Sequence, residues 1–354
     1  MSIYFISDFG YFSEDHTNFN RLKGLMTTIK NDFNNTTDIL LLGGDNFYSK
    51  GLTIKNYTYL ISQYNRLFNT INPSRVYAVL GNHDYLGDIR YQINNPDLFT
   101  MPNMYYKTTY GKIDVYMIDT MLLEPNTATD LIHVCGQYID DTLLNPYDEY
   151  GGDYDLLNKM RLTMLSWLDD EITKSNANNQ IVMVCGHYNI LTFGKHRYTN
   201  DYSLVLCFLL PLFVKHNVNI YLSGHDHGSQ VHILDNIDIM DCINNVRLSS
   251  YDKEIMDMLY PNIIDLITKS INYKFYNIVS GGCVDTPVSP EDRTISPLMN
   301  KCTIYENYTD NLFFKLSIKP ELSPNPNDSL DIKMEFIESI SIDNPSTVFS
   351  YTLI

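Results

Sequence analysis

Five apolar runs of this chain end in residues able to bind a metal ion. "ISDFG" stops at Asp8, and "ILLLGGDNFY" at Asp45 with Tyr48 three residues on. "VYAVLGNHDY" ends in Asn82, His83 and Asp84, "IVMVCGHYN" in His187, and "IYLSGHDHG" in His225 and His227. In four of the five a glycine (Gly44, Gly81, Gly186, Gly224) stands just before the first polar residue, where the backbone can turn sharply and approach a ligand. Carboxylate oxygen, amide oxygen and imidazole nitrogen suit hard or borderline metals such as iron, manganese and zinc. The thiolates of a structural zinc site are missing from these motifs. Taken singly each motif is weak. A lone histidine after a strand is usually a packing residue, and Gly-Asn-His can be a turn. Asp-Phe-Gly also occurs in protein kinases, but their His-Arg-Asp loop and Val-Ala-Ile-Lys strand are absent here. The recurrence of five such ends in order is the signal.

The elements that must position these residues follow from hydrophobic periodicity. Strand-like runs at 3–7, 39–42, 76–80, 181–184, 218–222 and 275–279 alternate with helix-like runs at 19–33, 54–68, 156–174 and 204–216. A hairpin is expected at 105–118, turned at Gly111-Lys112. Residues 122–155 read as a long loop, 235–272 as an insertion that is helical around 253–271, and 330–354 as a closing β-hairpin. The alternation predicts an α/β fold with helix-covered sheets in a single domain, 1–354. In open α/β sheets ligands bind beyond the carboxyl ends of the strands, so five such ends can converge on one point.

Composition limits the partners. The net charge of −17 lacks the Lys/Arg excess that draws a protein to a polyanion, so nucleic acid is not an expected partner. A small phosphate ester or a phosphoprotein is compatible if bound cations supply attraction locally. The longest apolar stretch, around 204–214, is too short to span a bilayer, so no membrane partner is expected. The first strand starts at residue 3 with no basic or cleavable leader pattern, which makes a cytoplasmic location the default. The six cysteines show no Cys-x-x-Cys spacing and read as reduced thiols. The oligomeric state is open.

The ordered motifs Asp8-Phe9-Gly10, Gly44-Asp45-Asn46-Phe47-Tyr48, Gly81-Asn82-His83-Asp84, Val184-Cys185-Gly186-His187 and Gly224-His225-Asp226-His227 resemble those of the purple acid phosphatases within the calcineurin-like metallophosphoesterases. The strings "GDNFYSKG", "GNHDYLG" and "YLSGHDH" are similar to the small, tartrate-resistant type, and the likeness covers about residues 1–234. It implies a four-layer α/β sandwich, two mixed β-sheets flanked by helices. It also implies a binuclear metal centre: Asp8, Tyr48 and His227 on Fe(III), Asn82, His187 and His225 on Fe(II), Zn(II) or Mn(II), and Asp45 bridging. Many metallophosphoesterases carry a ligand histidine where this chain has Gly10, and the resemblance implies that Tyr48 fills that vacancy. His83 would contact the phosphate or protonate the leaving group, and His196, nine residues after His187, would be a second substrate histidine.

The implied reaction is hydrolysis of a phosphomonoester by a metal-bound hydroxide. Fe(III) with a divalent partner, less the charges of Asp8, Asp45, the Tyr48 phenolate and the hydroxide, leaves a net positive site inside an acidic protein. Purple acid phosphatases are usually secreted, whereas a reducing compartment favours Fe(II) and keeps a dimanganese centre as the alternative. A phosphodiesterase or phosphoprotein phosphatase of the same superfamily, or a non-catalytic binding protein on this scaffold, are the rival readings.

Overall fold

Strand β1 (Ser2–Ile6) is buried along nearly its whole length and lies parallel to β2 (Ile39–Leu42), which is parallel to β3 (Val76–Ala78). Parallel neighbours require a crossover, and the helix Thr17–Asp32 supplies the one between β1 and β2. The near-continuous apolar character of β1 and β2 is what a strand covered on both faces demands. The structure, a computed structural model, describes residues 1–12, 17–124, 154–192, 201–246, 248–270, 273–281, 302–307, 312–319, 331–338 and 346–353. Most of the loop expected at 122–155 therefore lies outside the described residues.

β1 to β3 form one side of a six-stranded mixed sheet. Its other side is antiparallel: β11 (Leu312–Lys319) pairs with β1, β12 (Asp331–Glu338) with β11, and β13 (Ser346–Leu353) with β12 at the edge. The second sheet has seven strands in the order β10-β8-β9-β7-β6-β5-β4. In it β5 (Ile113–Met117), β6 (Ile181–Cys185), β7 (Ile220–Ser223) and β9 (Lys274–Ser280) run parallel. β4 (Tyr106–Tyr110), β8 (Ser229–Asp235) and β10 (Thr303–Asn307) are antiparallel to their neighbours. The 105–118 hairpin is present, with Gly111 at φ +60 in its turn. The sheets meet through side chains such as Tyr305, whose ring stacks 5.1 Å from Phe336 and lies 4.8 Å from Phe349. Two mixed sheets flanked by helices make up the α/β sandwich.

The helices Tyr154–Ala177 and Asp201–His216 pack together beside the seven-stranded sheet, pinned where Lys215 and His216 both reach Asp169. Residues 235–272 are more helical than the sequence suggests. They form three short helices, Asn236–Asn245, Ser250–Leu259 and Ile263–Lys269, packed on Asp201–His216. Caps explain the first two: Asp235 accepts from the Ile237 and Asp238 amides, and Ser249 from Asp252. The run expected at 253–271 is broken because Pro261 disfavours helical backbone at the preceding Tyr260, which sits at φ −131, ψ 61. Among the described residues no helix is long and apolar enough to cross a membrane. Cys185, Cys207, Cys242 and Cys302 are buried free thiols.

Candidate metal centre

Asp8 follows β1, Asp45 follows β2 and Asn82 opens the short helix Asn82–Tyr85 just beyond β3. His187 follows β6, and His225 and His227 follow β7. All stand at the carboxyl ends of parallel strands, three on one sheet and two on the other, so the site lies where the sheets adjoin. Backbone bonds lock the first two turns together: the Asp8 amide donates to the Gly44 carbonyl (3.1 Å), Gly10 to Asp45 (3.2 Å) and Tyr48 to Gly10 (2.9 Å). A Cβ on Gly10 would lie 2.5 Å from the Asn46 and Phe47 backbone, so nothing larger than glycine fits. This close approach sets Tyr48 beside Asp8.

The seven expected ligands fall into two groups joined by Asp45. In the first, the Tyr48 hydroxyl donates to Asp8 Oδ1 at 3.0 Å and lies 3.1 Å from His227 Nε2, which is 3.6 Å from Asp8 Oδ1. In the second, His187 Nε2 lies 3.0 Å from Asn82 Oδ1, and the His187 and His225 ring centres are 5.1 Å apart. Asp45 Oδ1 is 3.5 Å from His187 Nε2, and ligand atoms of Asp8, Asp45 and His187 all lie within 4.8 Å of one another. Asp8, Asp45, His187 and His225 are buried. Asp8, Asp45, His225 and His227 adopt left-handed backbone (φ 56, 53, 65 and 42), a conformation that costs a non-glycine residue roughly 1 kcal/mol or more and clusters at functional sites.

His187 Nδ1 is 2.8 Å from the Gly43 carbonyl, which can only accept. Nδ1 therefore carries the proton, and the Nε2 lone pair of the neutral ring faces the Asn82 and Asp45 oxygens. A ligating histidine is commonly held in this way, its other nitrogen donating to a carbonyl. Lone pairs facing one another across 3.0–3.5 Å fit a cation between them. Without one, a proton takes its place: burial works against a charged His187, but the Asp45 and Asp8 carboxylates outweigh it and raise its pKa. Burial likewise opposes ionisation of Asp45, yet His187 and His83 hold its pKa below the ordinary carboxylate value. Burial, then Asp45 and Asp8, push the Tyr48 phenol well above its usual range, so it ionises only where a strong Lewis acid displaces the proton. The donor set thus fits metal ions.

His83 sits at the rim, half-buried. Its amide donates to Asp45 Oδ1 (2.9 Å), its Nδ1 donates to the Ser49 carbonyl (2.8 Å), and its ring centre is 4.5 Å from that of Tyr48. His196 lies outside the described residues.

A sequence profile of the calcineurin-like phosphoesterases matches residues 1–229. The chain belongs to this family. Among curated relatives, this chain is 28% identical to human tartrate-resistant acid phosphatase type 5 over 204 residues, 54% of this chain and 56% of that one. It is 28% identical to purple acid phosphatase 7 of Arabidopsis thaliana over 202 residues, 54% and 55% of the two chains. The match spans little more than half the length of these relatives. Two solved structures share the fold. Purple acid phosphatase PPD1 from yellow lupin has a TM-score of 0.53 at 13% identity, covering 99% of this chain and 53% of its own. GAP50, the anchor in the inner membrane complex of Plasmodium, has a TM-score of 0.58 at 16% identity, covering 100% and 88%.

Several supporting residues of this site escape a reading by motif. The buried Asp84 carboxylate accepts from the amides of Gly81 (2.9 Å), Asn46 (3.1 Å) and Phe47 (3.1 Å) and from Gln92 Nε2 (3.0 Å), tying the turns after β2 and β3. Burial and the nearby Asp45 push its pKa up to about 6. Thr120 Oγ1 accepts from the amides of His187 (3.3 Å) and Tyr188 (3.0 Å). Asp84 is visible in the Gly-Asn-His-Asp string, but Gln92 and Thr120 carry no local signal.

Proposed function

We propose that this chain is a binuclear-metal phosphatase that hydrolyses phosphomonoesters in the manner of the purple acid phosphatases. Asp8, Tyr48 and His227 would hold one ion, Asn82, His187 and His225 the other, and Asp45 would reach both. When bound, such ions supply an activated water and neutralise charge gathering on the phosphate oxygens. The observation that carries this reading is the His187 ring, whose protonated Nδ1 is fixed on Gly43 while its Nε2 lone pair faces the oxygens of Asn82 and Asp45.

The chain's own residues do the rest. Asp45 accepts the His83 amide, which holds the rim histidine in register with the centre. With His83 Nδ1 engaged on Ser49, Nε2 is the nitrogen able to hand a proton to the departing oxygen. His196 is proposed as a second contact to the phosphate. Tyr48 selects for a trivalent ion, since its buried phenol ionises only under strong Lewis-acid pull. The co-location of all seven donor residues favours catalysis over a non-catalytic binding role.

The test is aryl-phosphate hydrolysis by metal-loaded protein, compared with an aryl diester. Monoester turnover that disappears in His187→Ala is expected. Equal turnover by that variant, or a preference for the diester, contradicts the reading. Iron-loaded wild type should show a visible phenolate charge-transfer band that Tyr48→Phe abolishes. A colourless iron-loaded protein, active with manganese, would shift the assignment to a dimanganese centre.

A further inference from the structure

The turn Gly224–Gly228 supplies one ligand to each half of the centre, and both of those histidines sit in left-handed backbone. Its front is held by Asp8, whose Oδ2 accepts the His225 amide at 2.8 Å. The residue between the ligands, Asp226, is fully buried. Its Oδ2 accepts from Thr192 Oγ1 and, at 3.0 Å, from Gln230 Nε2. Gln230 Nε2 also donates to Thr192 Oγ1 (3.0 Å), and Gln230 Oε1 lies 3.0 Å from His232 Nε2. His232 Nδ1 in turn lies 2.8 Å from Thr303 Oγ1 on β10. Gln230 and His232 are both fully buried.

The donors and acceptors in this chain have one consistent direction. With the Gln230 amide nitrogen donating to Asp226 Oδ2 and Thr192 Oγ1, its oxygen, which can only accept, is the atom presented to His232. His232 must then donate through Nε2 and accept from the Thr303 hydroxyl through Nδ1. Burial agrees, since it lowers the His232 pKa to about 3 and keeps the ring neutral. A histidine with the outward look of an ordinary packing residue is thereby fixed in one tautomer.

We propose that Gln230 and His232 are positioning residues for the metal centre: through the Asp226 carboxylate they hold the turn that presents His225 and His227, and so govern both metal subsites together. This rests on the binuclear reading above. Partners one shell removed from the ligands commonly tune metal affinity about 10–100-fold.

The experiment measures Mn(II) binding to the full chain by calorimetry, with far-UV circular dichroism and melting as fold controls. Gln230→Met keeps the volume and removes the hydrogen bonds to Asp226, Thr192 and His232. It should weaken Mn(II) binding about 10–100-fold with the fold intact. Gln230→Glu should be worse, because it sets a second carboxylate against Asp226. Ser175→Ala, which loosens a buried network at the opposite end of the same sheet, should leave Mn(II) affinity unchanged. In parallel, ¹⁵N NMR of wild type should find His232 protonated at Nε2 and bare at Nδ1. Unchanged Mn(II) affinity in Gln230→Met, an equal loss in Ser175→Ala, or a proton on Nδ1 overturns the proposal while leaving the phosphatase reading in place. If the Gln230 variants fail to fold, the His232 tautomer decides. Wild type that binds no Mn(II), Zn(II) or iron overturns both.

Discussion

Two groups of buried carboxylates in this protein look alike by exposure and differ in what they face. Asp114 lies near the amino end of β5 on regular strand backbone. Its oxygens accept from Thr109 Oγ1 (2.6 Å) and Ser175 Oγ, and Lys107 Nζ is 3.9 Å away. Donors and a cation of the chain satisfy its charge. Asp8 and Asp45, at the carboxyl ends of β1 and β2, sit in left-handed backbone, and among the described residues their ion-pair partners are the histidines 227 and 187. Those rings bring lone pairs as readily as protons. Burial of an acid therefore does not mark a site. Acids and imidazoles crowded together on costly backbone, with a carbonyl fixing the tautomer, do mark one.

The largest expected effect separates the two groups. Asp45→Ala should reduce phosphomonoester hydrolysis to background with the fold retained, while Asp114→Ala should leave turnover near wild type. Steady-state assays on the two variants side by side test this, and an active Asp45→Ala protein would erase the distinction. His83→Gln should lower kcat about 10²–10⁴-fold if it delivers a proton. Metal content by elemental analysis should be unchanged, because His83 is not among the proposed ligands. Loss of metal from that variant would move His83 into the coordinating set.

On the structural side, Asp114→Ala strands the Ser175 and Thr109 hydroxyls and should cost about 2–4 kcal/mol in denaturant unfolding. Asp119 falls between the two cases. Burial pushes its pKa up to about 7, against hydrogen bonds from Tyr85 and the Met121 amide. The unfolded chain releases this proton near 3.9. Between those values the folded state holds more protons, so its contribution to stability falls as pH rises from about 4 to about 7. Asp119→Asn should flatten that decline by a few kcal/mol at most, seen in unfolding free energies across that range. A variant with the wild-type slope would show that Asp119 is ionised throughout.

Legibility in the sequence followed burial. β1, β2, β6 and β7 are covered on both faces, so they appear as unbroken apolar runs, and the residues just past them are conspicuous. β8, β10 and β11 were not legible. β8 carries Gln230 and His232 inward, so its buried face reads as polar, and β10 is an edge strand of five residues. The network through Thr192, Asp226, Gln230 and Thr303 is built from residues up to 111 positions apart, and no local pattern announces it. The helix boundary at Pro261 was readable from the proline but is masked by apolar periodicity continuing on both sides.

Anomalous diffraction from crystals of the full chain soaked in Mn(II) or grown with iron tests the central claim most directly. Two peaks per chain are expected, one among Asp8, Tyr48 and His227 and the other among Asn82, His187 and His225, with Asp45 touching both. A single peak, or ions bound elsewhere while these side chains remain hydrogen-bonded to one another, would contradict the account.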